Sequence, residues 1–404
     1  MFVQGGRKGL TARPGEFTSG GKTKNSGIST AAATFGLPGI DSVVNWSDQF
    51  TAPGFDFKGN PQSVWPYTMV GHPPESGIPS FIGAPIVPVG IDLLGPDGKV
   101  AIFGGAPLHF GPSPAIVNAV VDSPVFQPWF YTSGVGQFND QMMRAQFSDR
   151  IHANHFDNGW HNILLPRVRA ARNMQIPFGS WFFATDSNNI PIAAFVDGNV
   201  FSSLLFPSTV PVDNTTPIGA AELAGEITTR DISSFLFNNV FLYNGDINNC
   251  CVLGFHSFDF QPGDKRNGNR DRLFVMDFSS WITPGLLVGG FEDITPLSHE
   301  MAEAFNNPFG INATPWWLST DPIFGNICQD NLEVGDVIEN KSNNPLFAIS
   351  MNGRTYHVQN EALFSWFAFQ SPSKAHLKAY SFPDETTLTT LSPGPLLPGC
   401  VAAP

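Results

Sequence analysis

Charged side chains are scarce in this chain of 404 residues. Asp, Glu, Lys and Arg together make up 14% of it, against about a quarter in typical globular proteins. Acidic residues outnumber basic ones, 34 to 21, and the formal net charge is −13. Nucleic-acid binding depends on clustered Lys and Arg. The sequence has no such cluster, so nucleic acid is not expected as a partner.

Several other patterns are missing. No apolar run reaches membrane-spanning length, so no transmembrane helix is expected. Neither a G-x-S-x-G elbow nor a P-loop occurs, and no cysteine stands in a recognisable catalytic context. These absences give no support to a serine hydrolase of that type, a P-loop nucleotidase or a cysteine enzyme.

Cysteine is rare, with Cys250, Cys251, Cys328 and Cys400 as the four examples. No two form a C-x-x-C pair, which argues against a zinc site built from cysteines. Adjacent residues of a strand point to opposite faces, so Cys250 and Cys251 are not expected to reach one partner. A long-range disulfide between Cys328 and Cys400 remains open.

Apolar and aromatic residues are plentiful, at 42% and 13%. They are enough to form a sizeable core, and the length allows either two domains or one large β-rich unit. A surface poor in charge must be rich in Asn, Ser, Thr, Gly and Pro. That composition is common in extracellular β-proteins.

Three segments differ in character. Residues 1–40 are rich in Gly, Ser, Thr and Lys without hydrophobic periodicity, which predicts a flexible N-terminal arm. Residues 41–215 contain short apolar runs broken by turn sequences such as "GPDG" and "DSNN". They predict an antiparallel sandwich or barrel. Residues 216–404 are predicted to form a second domain that contains both helices and strands. The expected fold class of the whole chain is therefore α+β.

The second domain begins with "TTRDISSFLFNNVFLY", whose apolar spacing is nearer to helical than to alternating. Two predicted strands follow, "CCVLGFHSFDF" and "RLFVMDFSSW", joined by the polar stretch "QPGDKRNGNRD". A helix comes next. This order is compatible with a zincin-like α+β module.

That helix carries the sequence "PLSHEMAEAFNNP". Thr295 is predicted to cap it, Pro296 to occupy its first position and Pro308 to end it. His299 and Glu303 are four residues apart and project from one face, with Glu300 about 100° further round. Zinc accepts both imidazole nitrogen and carboxylate oxygen. The alternative is that these side chains form the solvated face of an amphipathic helix, since short motifs recur by chance.

Further acids follow in "LEVGD", where Glu333 and Asp336 flank Gly335. The glycine allows a tight backbone turn, so both carboxylates can converge on an ion. The alternative is an ordinary acidic turn.

Other polar clusters have simpler interpretations. The "RIHANHFDNGWH" histidines fit no regular ligand spacing, so surface or core roles are preferred to a metal site. "GDKRNGNRDR" lacks the terminal glutamate of a calcium loop and predicts a hairpin turn. For His256, in "GFHSF", a place in the core or the wall of a cleft is preferred to a role as ligand.

Taken in order, four runs resemble a group of secreted H-E-x-x-E proteins of bacteria and fungi, with the plant exordium proteins as distant relatives. The runs are GFHSF (254–258), SHEMAEAFNNP (298–308), LEVGD (332–336) and YHVQ (356–359), followed by Trp366. The match covers roughly residues 250 to 370. The group's cysteine after the third run is absent here, and the spacing from YHVQ to Trp366 is longer.

The resemblance implies a zincin-like zinc centre. His299 and Glu303 would be ligands from the helix, Glu333 and Asp336 would complete the set, and Glu300 would be the general base. His256 and His357 would line the cleft.

These expectations lead to one principal hypothesis, an exported zinc metallopeptidase acting on peptides or proteins through water activated by the metal. Tyr356 or His357 would stabilise the oxyanion. The first residues, MFVQGGRKGL, form no apolar signal-type segment, so an extracellular location is expected from composition and resemblance. The alternative is a non-catalytic extracellular binding or structural protein, whose ion only stabilises the fold.

Overall fold

A computed structural model of the protein describes residues 39–208, 212–248, 250–287, 290–321, 325–339 and 345–391. The predicted arm therefore lies almost entirely outside the described residues, and so does Cys400 of the suggested long-range disulfide. No helix in the described ranges has the length and apolar character needed to cross a membrane.

Strands predominate over helices. The strands are β1 Ile40–Asp41, β2 Asn45–Phe55, β3 Pro61–Val70, β4 Ser80–Leu93, β5 Ile102–Phe103, β6 Ala106–Pro107, β7 His109–Phe110, β8 Trp129–Tyr131, β9 Gly134–Gly136, β10 Asn162–Val168, β11 Arg172–Ile176, β12 Trp181–Thr185, β13 Pro191–Asp197, β14 Ile232–Asn238, β15 Val240–Tyr243, β16 Cys250–Val252, β17 Gly254–Gln261, β18 Asp271–Trp281, β19 Ala313–Asp321, β20 Gly325–Asn331, β21 Leu346–Met351, β22 Arg354–Gln359, β23 Glu361–Ala362 and β24 Ser381–Phe382. The helices are α1 Pro114–Val121, α2 Phe138–Gln146, α3 Ser148–Ile151, α4 Gly198–Leu205, α5 Pro217–Leu223, α6 Thr295–Asn306 and α7 Phe364–Phe367.

An eight-stranded sheet forms the centre of the fold, in the order β1-β18-β14-β4-β10, with β11 and β7 beside β4 and β17 beside β18. The pairs of β4 with β10, β11 and β14, and of β18 with β14 and β1, are parallel. The predicted antiparallel sandwich or barrel is wrong in this respect. Parallel strands that are buried on both faces have nearly continuous apolar sequences, which composition does not distinguish from antiparallel core strands.

The central sheet takes strands from both predicted domains. The strands β4, β10 and β11 precede residue 215, while β14, β17 and β18 follow it. A domain boundary near residue 215 remains a prediction, and it would separate strands that are hydrogen-bonded within one sheet.

The segment predicted to begin the second domain as a helix is extended instead, and this prediction is wrong. It forms β14 and β15, which are separated by Asn239 in the left-handed region at φ 53°. On β14, Ile232 and Leu236 face one apolar layer, and Phe235 and Phe237 face the other. A strand that is buried on both faces has a dense apolar sequence without clear alternation of apolar and polar residues. The spacing of its apolar residues therefore predicted a helix where the structure has strands.

The strands β17 and β18 form the predicted antiparallel hairpin, and "GDKRNGNRDR" is the turn region between them. The "DSNN" hairpin between β12 and β13 is also confirmed. The adjacent cysteines differ from expectation, because Cys250 and Cys251 are joined by a disulfide. The alternation of a regular strand, on which that expectation depended, does not hold across this pair.

Helix α6 packs against β17, β18 and β22. Its apolar residues Leu297, Met301 and Phe305 belong to the larger apolar layer. Alternation along β17 directs Phe255 into the opposite layer, so His256 lies on the face of the sheet that α6 covers. The helix and strand therefore place their polar side chains in one enclosed space.

Candidate metal centre

Helix α6 runs from Thr295 to Asn306, with Pro296 in its first turn, within a residue or two of the predicted bounds. Its N-cap is Ile294, so the predicted cap at Thr295 is wrong, and Thr295 is the first helical residue. Every residue of the helix is buried, and His299 and Glu300 are 0% exposed. The alternative of a solvated helix face is therefore wrong. Buried charged side chains need partners or a bound cation, so the polar face of this helix requires an explanation.

Four potential ligand atoms, two nitrogens and two oxygens, converge beside the helix. The Oε2 atom of Glu303 lies 3.3 Å from Nε2 of His299 and 3.3 Å from Nδ1 of His256, while Oδ1 of Asp336 lies 3.5 Å from Nε2 of His299. Ligands bound to zinc at about 2.1 Å in tetrahedral geometry are about 3.4 Å from one another. The spacing of these atoms therefore matches the edges of a metal coordination sphere.

Gly335 brings the second segment of the site against the helix. Its backbone N–H donates to Oε1 of Glu303 at 3.1 Å, and its carbonyl accepts from Nε2 of Gln359 at 2.8 Å. A Cβ atom at Gly335 would lie 2.8 Å from Cγ of His299, and closer still to Nδ1 and Cε1 of the ring. Glycine is thus needed for close approach of the backbone.

The two acids that flank Gly335 face different imidazoles. Asp336 faces His299, as given above, whereas Oε2 of Glu333 lies 3.8 Å from Nε2 of His256. The other oxygen of Glu333 accepts hydrogen bonds from Asn307 at 3.1 Å and Asn331 at 2.5 Å. The structure thus brings both acids to the cluster.

Glu300 lies between the two imidazoles. Its Oε1 is 3.9 Å from Nε2 of His299, and its Oε2 is 3.7 Å from Nδ1 of His256. Among the described residues, neither of these oxygens and neither ring nitrogen of His299 has a hydrogen-bond partner. Buried polar atoms of native proteins are nearly always hydrogen-bonded, so these atoms indicate a binding site for a further group.

Tyr356 and His357, predicted to stabilise an oxyanion, have other partners. The hydroxyl of Tyr356 donates to the carbonyl of Ala119 at 2.9 Å. Nδ1 of His357 is 2.7 Å from Asp293 and 3.2 Å from Glu292, just before α6. Glu292, Asp293 and His357 form a separate group of potential ligands. In the described part of the chain, the hydrogen bonds and ion pairs of Tyr356 and His357 go to these and other residues and not to His299 or Glu300.

Sequence reasoning missed several members of the site. The sequence favours a place in the core or a cleft wall for His256, and none of the motifs above includes Glu339 or Glu361. Glu339 groups with His299 and Asp336, with ligand atoms within 4.8 Å of one another. Glu361 is 0% exposed, and its carboxylate has no hydrogen-bond partner among the described residues. His357, Gln359 and Glu361 are two residues apart in the sequence, a spacing that places side chains on one face of a strand. This spacing is the sequence pattern that could have indicated Glu361.

The buried histidines and acids of this site are together called the buried cluster. Its members are His256, His299, Glu300, Glu303, Glu333, Asp336, Glu339 and Glu361.

Electrostatics within the buried cluster are dominated by burial and by the excess of acids. Burial alone would lower the pKa of His299, but the carboxylates of Glu303 and Glu300 raise it well above its ordinary value. Burial raises the pKa of Glu300, and raises the pKa of Asp336 to about 7 with Glu303 adding to the effect. For Glu303, burial acts upward, but His299 and His256 outweigh it, and its pKa is lowered. A cation would favour ionised carboxylates and neutral imidazoles throughout.

The other polar sequence clusters have ordinary structural partners. Asp157 is paired with Arg144, and Nδ1 of His161 is 2.9 Å from Asp140. Nδ1 of His152 is 2.9 Å from the carbonyl of Ser148. In the portion of the chain that the structure describes, these histidines belong to no group of three potential ligands.

Comparison with known proteins adds no relative. No family model matches the chain, and no curated protein or solved structure matches it.

Proposed function

We propose that the protein is an exported metal-dependent hydrolase, with zinc as the metal and peptides or proteins as substrates. The observation that carries this proposal is the convergence of His299, Glu303 and Asp336 in an enclosed space. The resemblance to the secreted H-E-x-x-E group supports the zincin-like assignment, and the low content of charged residues supports export.

In this proposal, His299, Glu303 and Asp336 hold the ion. A zinc ion supplies Lewis acidity and increases the acidity of water at the site. Glu300 would accept a proton from water while the water oxygen bonds to the carbonyl carbon of the substrate. It would then donate that proton to the amine nitrogen as the C–N bond breaks. Its carboxylate suits this role, because it lies beside His299 and has no competing hydrogen bond among the described residues. Gly335 fixes Glu303 through its backbone N–H.

A second candidate function is non-catalytic, with the ion stabilising an extracellular binding or structural protein. One observation favours it. The side chains of His299, Glu300 and Glu303 are at most 2% exposed, and structural metal sites are closed by protein ligands, whereas catalytic sites keep an open position.

Replacement of Glu300 distinguishes the two functions. In a hydrolase, Glu300→Gln lowers the hydrolysis of an unfolded protein or a mixed peptide library by about 10²–10⁴-fold, while the ion beside His299 is retained. Glu222→Gln is the matched control, because Glu222 is a half-buried carboxyl on α5, outside the buried cluster. Metal is measured by mass spectrometry of the purified variants. Wild-type protein that holds zinc and cleaves nothing would establish the structural function.

A further inference from the structure

We propose that the buried cluster binds two divalent cations, and that Glu303 is the carboxylate they share. This inference rests on the metal centre of the proposed function and specifies its nuclearity. It concerns residues that the sequence did not assign as ligands, above all His256.

The potential metal ligands fall into two sets, and each set contains one histidine. His256 groups with Glu300 and Glu303, and His299 groups with Asp336 and Glu339. In each set the ligand atoms lie within 4.8 Å of one another. Each set thus contains one nitrogen and two carboxylates, a combination that suits zinc, manganese or iron.

Glu303 connects the sets. The same Oε2 atom lies 3.3 Å from Nδ1 of His256 and 3.3 Å from Nε2 of His299. Glu300 also faces both sides, with Oε2 towards His256 and Oε1 towards His299. Carboxylates placed between two imidazoles in this way are suited to bridge a pair of ions. If Oε2 of Glu300 binds the second ion, Oε1 of the same residue can still accept the proton from water.

Charge favours two ions over one. Glu300, Glu303, Glu333 and Glu361 are at most 1% exposed, and no Lys or Arg forms an ion pair with them among the described residues. When these four glutamates are ionised, one divalent cation beside neutral imidazoles offsets only half of their charge, and uncompensated buried charge is strongly unfavourable.

The principal competing arrangement has a single ion bound by both imidazoles and Glu303. The distances from Glu303 allow it as well, so the number of ions per chain decides between the two. The group formed by Glu292, Asp293 and His357 is a separate place for a second ion, and the experiment must exclude it.

The test is metal counting on the full chain with Mn²⁺ as the probe. Apo protein is prepared with a chelator and titrated with Mn²⁺, and bound metal is counted by mass spectrometry. We expect two ions per chain in the wild type and one in His256→Ala. His357→Ala and His161→Ala are the matched controls, since both histidines are paired with acids outside the buried cluster, and both variants are expected to keep two ions.

Electron paramagnetic resonance of the wild type needs no variant and so does not depend on their folding. Two Mn²⁺ ions that share Glu303 should give an exchange-coupled spectrum, distinct from that of isolated Mn²⁺. One ion per chain, two ions without coupling, or loss of an ion in His357→Ala would each overturn the inference. The proposed function is judged separately, by the loss of hydrolysis in Glu300→Gln, and it survives a count of one.

Discussion

Gly335→Ala tests whether the glycine bend sets the position of His299. The added methyl group would lie 2.8 Å from Cγ of the ring and nearer to two other ring atoms. Carbon atoms in contact are normally about 3.5–4.0 Å apart, so backbone and imidazole must separate by about 0.7 Å or more. Gly335 does not have a positive φ, and the effect is therefore one of contact and not of backbone conformation.

The ring of His299 has little room to move. It is 0% exposed, and overpacking of a dense interior costs about 1–3 kcal/mol. Metal affinity should fall further, because functional groups must be held within about 0.5 Å of their working geometry. We expect a loss of affinity of about 10–100-fold, comparable to the loss of a residue that orients a ligand.

The assay is metal titration combined with urea unfolding in chelator, which separates the affinity from the stability of the apo protein. Gly95→Ala is the matched control. Its Cβ would lie 3.3 Å from Oδ1 of Asp97 and 3.6 Å from the carbonyl oxygen of Lys99, so a change within about 0.5 kcal/mol is expected. If Gly335→Ala binds metal like the wild type and unfolds at the same urea concentration, the bend does not position His299 and the site must be described differently.

Two further predictions concern stability alone. Burial and the nearby Asp259 raise the pKa of Glu222 to about 9 from 4.5, so the folded state keeps a proton that the unfolded chain releases, and stability falls as pH rises between these values. Glu222→Gln should remove this fall, so the variant should be as stable as the wild type at pH 4 and more stable by about 2–4 kcal/mol at pH 8. The measurement is thermal unfolding, and a variant that unfolds at the same temperature as the wild type at both pH values would contradict the prediction. Asn312 accepts from the N–H of Thr68 at 2.8 Å and donates to its carbonyl at 2.7 Å. Asn312→Ala leaves both groups without that partner and should cost at least about 2 kcal/mol in urea unfolding, whereas Asn188→Ala, at an exposed hairpin tip, should change little.

The local part of the site was predictable from sequence because it depends on helical geometry. The four-residue spacing of His299 and Glu303, and the proline before them, fix one helix and one face. The hairpin of β17 and β18 was predictable for a similar reason, since a polar turn separates two apolar runs. Asp336 was expected from its glycine neighbour, and it lies 3.5 Å from His299.

The rest depends on contacts between distant segments. His256 enters the site because β17 lies under α6, and no local pattern in "GFHSF" distinguishes a ligand from a core histidine. The same holds for Glu361, which follows β22 in the chain and is buried with the cluster. The parallel order of the central sheet was not predictable either, because strands that are buried on both faces have no alternation to read.

Uncharged hydrogen-bond donors surround the carboxylates of the buried cluster. Asn307 and Asn331 donate to Glu333, Gln329 donates to Asp336, and the backbone of Gly335 donates to Glu303. Amide donors fix the position of carboxylate oxygens, but they carry no net charge. These hydrogen bonds therefore hold the oxygens in place without adding positive charge. A bound metal ion, as in the proposed function, would supply that positive charge in a chain with few basic residues.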